Sequence, residues 1–213
     1  MSDAALSELI KRAQQGDAAA FDRLVDAFAH RVGGFLYRMT GCREDLDDLV
    51  QEVFLRVVRM IGAYEHDGRF EAWIFRIAAN LIRDRLRRAR RAPKVVDADS
   101  MGGLEQGSPC CDENGLDRFE GRSEPADARL VRGEAVDALN DALARLPEAE
   151  REVVLLRHFS QMSFREIAVL METPIGTALA RAHRGLARLR ELMISHDAER
   201  HRSPALATEK GYS

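Results

Sequence analysis

The chain has 213 residues, is 31% charged and only 6% aromatic, and carries a formal net charge of −3. That balance fits one or two helix-rich domains large enough to bury real cores. No apolar run reaches the length of a membrane span, and the start MSDAALSELIKRA lacks the basic-then-apolar design of a secretory signal. These features predict a cytoplasmic protein with no membrane insertion of its own. The first stretch, from about Leu6 to Arg91, reads as continuous helical pattern. Phe21, Leu24, Val25, Phe28, Val32, Phe35, Leu36 and Met39 recur at three- and four-residue steps and form one apolar stripe. A turn falls at Gly41-Cys42. A second stripe follows in Leu46, Leu49, Val50, Val53, Phe54, Val57 and Ile61, with Asp45, Asp47, Asp48 and Glu52 opposite. The pattern breaks from Gly62 to Gly68. A third helix is expected to start near Phe70, burying Trp73, Ile74, Ile77, Ala78 and Leu81 before it runs out into arginines.

Residues 92–132 lose this periodicity. They mix Gly102-Gly103, Pro109, Gly115, Gly121 and Pro125 with acids, the composition of a flexible, self-repelling linker. Between Ala92 and Ala128 nine acidic residues face three basic ones, whereas Arg83 to Arg91 holds six arginines and one acid, Asp84. Two basic surfaces joined by an acidic tether are the result. Phosphate attraction dominates non-specific affinity, so a net acidic chain should bind free DNA poorly unless something else brings it there. The three cysteines suit a reducing compartment, since Cys42 is isolated and vicinal Cys110-Cys111 lacks the paired CxxC spacing of a zinc site.

A second domain is expected from Gly133, with Val136, Leu139, Leu143 and Leu146 on one face and Pro147 opening the next helix over the block Val153 to Leu156. Ser163 and Glu166 stand at capping-box spacing, so a helix should begin at Ser163 and carry Ile167, Ala168 and Leu170. Thr173-Pro174 reads as an N-cap followed by a proline in the first helical position. The helix after it holds Arg181, His183, Arg184, Arg188 and Arg190 with no acid before Glu191. A short helix, a tight turn and a basic helix make a helix-turn-helix, whose second helix lies in the major groove of DNA. The plainer alternative is a helical hairpin with a solvated basic face. This unit is expected to end near Met193 and to be followed by a frayed polar tail from Ser195.

At these residues the chain resembles the extracytoplasmic-function sigma factors, the smallest sigma subunits of bacterial RNA polymerase. Asp48–Val57 and Phe70–Asn80 are similar to the family's DLVQEVFLRV and F-x-x-W-I-F-R-I-A-x-N segments. The C-terminal pattern is met by Leu146, Pro147, Arg151, Val153, Leu156, Arg157, Ser163, Glu166, Ile167, Ala168, Pro174, Gly176, Thr177, Arg181, His183 and Arg184. The resemblance implies an all-α fold of two small helical domains, sigma-2-like (1–91) and sigma-4-like with the helix-turn-helix (133–194), joined by the acidic linker 92–132 and followed by the tail 195–213. It implies a non-enzymatic factor that binds core RNA polymerase and directs promoter-specific initiation through the −10 and −35 elements. Its partners would be core polymerase, promoter DNA and an anti-sigma factor, with no cofactor, metal or small-molecule substrate.

The same resemblance assigns residues. Asp48, Gln51, Glu52, Phe54 and Leu55 would dock on the clamp helices of the polymerase's largest subunit. A solvated helix face and a carboxylate metal site are the other readings of these acids, although the Glu-x-x-His motifs of a bundle metal site are missing. Tyr64, His66, Arg69, Phe70, Asn80, Arg83, Arg87 and Arg88 would open and read the −10 element. They supply the aromatic, amide and cationic groups that unpaired bases and their backbone require. Trp73 is expected to be core, and Phe70 is either core or a stacking platform. Thr177, Arg181, His183 and Arg184 would meet the −35 element. Where the family has valine and then Lys-Ser after Gly-Thr, this chain has Ala178, Leu179 and Ala180, which removes a cation and a hydroxyl. An autonomous helix-turn-helix regulator would explain the second domain but not the Trp73–Asn80 helix. An enzyme would need a nucleophile–base pair, phosphate loop or metal spacing, and none is visible.

Overall fold

A computed structural model describes residues 2–91 and 126–202. Among them the regular elements are eight helices: α1 (Asp3–Gln14), α2 (Ala18–Thr40), α3 (Leu46–Ile61), α4 (Phe70–Arg91), α5 (Ala126–Ala144), α6 (Glu148–Phe159), α7 (Phe164–Leu170) and α8 (Ile175–Arg202). The continuous pattern expected from Leu6 is interrupted at Gly16, whose φ of 87° stops α1. Asp17 then accepts the N–H of Ala20 at 3.1 Å and caps α2. Gly41, at φ 69°, ends α2 with its N–H on the Tyr37 carbonyl, at the turn expected there.

Helices α1 to α4 close around an aromatic core. Phe28 meets Phe70 edge-on at 5.7 Å and Phe35 meets Phe75 at 5.4 Å, with Val32, Leu36, Val53, Val57, Ile74 and Ala78 fully buried among them. Helices α5 to α8 form a second lobe over Leu143, Leu146, Val153, Leu156, Met162, Ile167, Ala178 and Ala182. The capping box forms as expected: Ser163 Oγ accepts the Glu166 N–H, and the Glu166 carboxylate accepts the Ser163 N–H at 2.8 Å.

Three boundaries differ from expectation. Helix α5 begins at Ala126, inside the segment read as linker, because good helix formers such as Ala126, Ala128 and Leu130 carry the helix beyond its apolar stripe. Helix α8 continues past Met193 to Arg202, where the frayed tail was expected. The turn before it is also built otherwise. The helix starts at Ile175, the Pro174 carbonyl accepts the Ala178 N–H at 3.2 Å, and Thr173 Oγ1 is buried without a hydrogen-bond partner instead of capping. The linker segment 92–125, including Cys110-Cys111, and the tail 203–213 lie outside the described residues.

Candidate nucleic-acid and polymerase interface

Helix α3 separates its two faces cleanly. Leu49, Val53, Phe54, Val57 and Ile61 point into the core, and Asp48, Gln51, Glu52 and Leu55 stand on the solvent side at three- and four-residue steps. Leu55 and Val58 are about half exposed, an apolar seam beside carboxylates. Phe54 is 6% exposed and packs edge-on to Phe21 at 6.4 Å, so it supports this face from beneath.

The loop from Tyr64 leads into α4. Tyr64 stacks on Trp73 at 4.7 Å and reaches His66 Nδ1 and Asp67 Oδ1 at 3.4 Å. Burial, reinforced by Asp67, pushes its hydroxyl up to about 12, which keeps it neutral. Phe70 is fully buried against Phe28, Tyr64 and Trp73, so of the two readings the core one describes its position. Trp73 is partly buried at the edge of the same cluster. Farther along α4, Asn80, Arg87 and Arg88 are exposed, whereas Ile74, Phe75, Ala78, Ala79 and Ile82 form the inner face. Arg85 pairs with Asp45, and Arg87 with Asp84 at 2.5 Å.

On α8, Ala178 and Ala182 are buried, and Leu179 is 45% exposed. The helix therefore turns Leu179 outward. Thr177 and Arg181 are partly buried, Arg181 near enough to Glu152 of α6 to act on its charge, and His183 is exposed. Arg184 and Arg188 share the carboxylate of Glu150 at 3.1 and 2.8 Å. Glu150 is only 6% exposed, so two cations neutralise one buried acid and fix α8 across α6.

Several of the predicted DNA residues contact the opposite lobe. Arg83 pairs with Glu152 at 2.7 Å and donates to the Leu170 carbonyl. Arg69 pairs with Glu166, the capping-box carboxylate. Asn80, Arg83 and Arg87 line one side of an interlobe cleft, with Glu148, Leu170, Met171 and Glu172 on the other. Burial raises the Glu152 carboxyl above its ordinary range, with Arg83 opposing. Burial also acts upward on Glu166, but the Ser163 hydrogen bonds and Arg69 outweigh it and hold that carboxyl low. Sequence reasoning missed Glu150 and Glu152, since acids on a helix read as its wet face. The signal available was their place in a helix whose Val153–Leu156 block leaves no wholly polar side.

Residues 24–92 match the family described as Sigma-70 region 2, and residues 137–189 match Sigma-70, region 4. The two lobes thus define a sigma subunit, a factor for initiating transcription and not an enzyme class. The chain is 30% identical over 188 residues to the ECF RNA polymerase sigma factor SigW of Bacillus subtilis, covering 87% of this chain and 95% of that protein. It is 35% identical over 184 residues to the RNA polymerase sigma factor CarQ of Myxococcus xanthus, with 86% and 95% covered. Among solved structures it is similar to CnrH in complex with the cytosolic domain of CnrY, at a TM-score of 0.53 and 25% identity over 88% of this chain and 96% of that one. The fold also matches the sigma factor RpoE bound to the anti-sigma factor NepR from Bartonella quintana, at a TM-score of 0.57 and 20% identity over 81% and 96%. The chain belongs to the extracytoplasmic-function sigma factors. It works with core RNA polymerase to direct promoter-specific transcription initiation. No helix among the described residues is long and apolar enough to cross a membrane.

Proposed function

We propose that the work is divided between three surfaces. Asp48, Gln51, Glu52 and Leu55 on α3 bind core polymerase, with Phe54 bracing them from the core. Asn80, Arg83, Arg87 and Arg88 on α4, with Tyr64, His66 and Arg69 before it, open and read the −10 element, and Phe70 holds that loop in place. Thr177, Arg181, His183 and Arg184 on α8 meet the −35 element. The observation that carries this reading is the opposite charge of two neighbouring helices. Helix α3 exposes carboxylates beside an apolar seam, which suits a protein partner, and α4 exposes an amide and arginines, which suit nucleic acid. On the same reading, 1–91 and 133–194 are the functional domains, and the protein acts in the cytoplasm. The resemblance to CnrH, seen with the cytosolic domain of CnrY, and to RpoE, seen with the anti-sigma factor NepR, supports an anti-sigma factor for this chain as well.

The test is a double dissociation. Asp48→Ala with Glu52→Ala should weaken co-elution with core polymerase and lower transcription in proportion. Asn80→Ala should co-elute normally yet fail to open promoter DNA. If both variants lose core binding equally, the division between α3 and α4 is wrong.

A further inference from the structure

The two lobes are joined by more than loose contact. Phe159, the last residue of α6, sits in a slot between α2 and α4. Its ring lies 6.3 Å from both Phe35 and Phe75, and the Arg38 guanidinium stands 5.2 Å above it. A Cβ built on Gly34 would come within 3.7 Å of Phe159 Cε1, so the floor of the slot is bare backbone. Arg31 donates to the Phe159 carbonyl at 2.7 Å and pairs with Glu71. Around this apolar knob lie the charged contacts. Arg83 of α4 meets Glu152, whose side chain is 7% exposed, and Arg69 meets Glu166. An aromatic plug, a carbonyl clamp and two carboxylate–arginine pairs therefore converge on one interface.

The charged pairs have a direct bearing on DNA. A carboxylate facing a guanidinium presents the same anionic oxygens as a backbone phosphate. Glu152 and Glu166 thus occupy Arg83 and Arg69, two of the cations assigned to promoter DNA, and the second lobe forms the far wall of the cleft lined by Asn80, Arg83 and Arg87. Any strand approaching Arg83 must exchange places with Glu152. Resting on the assignment of Arg69 and Arg83 to the −10 surface, we infer that this arrangement is a self-inhibited state in which Phe159 latches the second lobe over that surface. Binding to DNA then requires withdrawal of Phe159 from its slot. The apparent Kd is the intrinsic Kd divided by the open fraction, so a closed majority suppresses DNA binding by the free factor without altering any DNA contact.

The full-length protein provides the test. Small-angle scattering reads lobe separation, and anisotropy with a labelled 20-nucleotide single strand of mixed sequence reads access to the basic surface. Phe159→Ala empties the slot, and Glu152→Lys sets like charges against Arg83 as an independent way to part the lobes. Each should enlarge the radius of gyration and tighten strand binding roughly three- to tenfold. An unchanged radius in both variants overturns the latch. A larger radius without tighter binding overturns its inhibitory role. Adding Arg83→Ala to Phe159→Ala should keep the larger radius and abolish the gain; a gain that survives overturns Arg83 as the group released. The −10 assignment fails separately, if Arg83→Ala with core polymerase opens promoter DNA as well as the unaltered protein does.

Discussion

Gly185 of α8 lies so close to Val154 of α6 that an added Cβ would stand 3.0 Å from the valine Cγ2. It would also come within 3.3 Å of the Glu150 Cβ and main-chain oxygen, neither of which can rotate away. The close approach is what brings Arg184 and Arg188 onto Glu150.

Gly185→Ala opposes two effects. Helix propensity favours alanine by about 1 kcal/mol, and overpacking against a main-chain atom costs about 1–3 kcal/mol. The steric effect wins because α6 must shift as a body. Thermal melting should fall by a few degrees. A variant that melts higher than the unaltered protein would show that α6 and α8 slide apart without cost.

Glu152 ties stability to pH with a definite sign. Burial raises its carboxyl above the ordinary 4.5, so the folded protein takes up a proton before the unfolded chain does. The contribution of this group therefore grows as pH falls through the raised value and is complete near 4.5, where the unfolded chain protonates too. Glu152→Gln mimics the protonated form and should flatten this dependence, leaving neutral-pH stability equal to or above that of the unaltered protein. Melting curves between pH 4 and 8 check it. A variant that melts lower at neutral pH would show the ionised pair to be net stabilising.

The family resemblance sets Leu179 at an expected lysine position, and it is 45% exposed beside buried Ala178 and Ala182. A lysine there can lay its stem along the helix and keep the ammonium in water. Leu179→Lys should change stability by no more than about 0.5 kcal/mol and should strengthen duplex binding, with a steeper salt dependence. A large drop in melting temperature without tighter binding would place Leu179 in a packed interface.

Much of this architecture is legible in the sequence, and the reasons are local. Helices α3 and α4 begin at Leu46 and Phe70 as expected, because their apolar stripes are bounded by Gly41-Cys42 and by the break from Gly62 to Gly68. The Ser163–Glu166 box is read from spacing alone. The misreadings lie where a long-range contact decides. Nothing in the local pattern says that Phe159 plugs a slot on α2, or that Glu150 and Glu152 are buried by arginines 34 or more residues away. Thr173 failed for another reason: the Pro174 carbonyl took over the capping of α8.

The two DNA-reading surfaces can be separated by two substitutions of different chemistry. Asn80 is exposed on α4, so Asn80→Ala removes a hydrogen-bonding amide without changing charge or core packing. With core polymerase it should impair strand opening and −10 discrimination while leaving capture of a −35 duplex intact. Arg181 sits on the flank of α8 nearest Glu152. Arg181→Ala should weaken −35 capture and, for a phosphate contact, flatten the salt dependence by about one counterion. Because the same change removes a cation near a buried carboxylate, its melting temperature must be measured alongside. Weaker duplex binding at an unchanged melting temperature assigns Arg181 to DNA, whereas equal duplex binding with a lowered melting temperature assigns it to the support of Glu152.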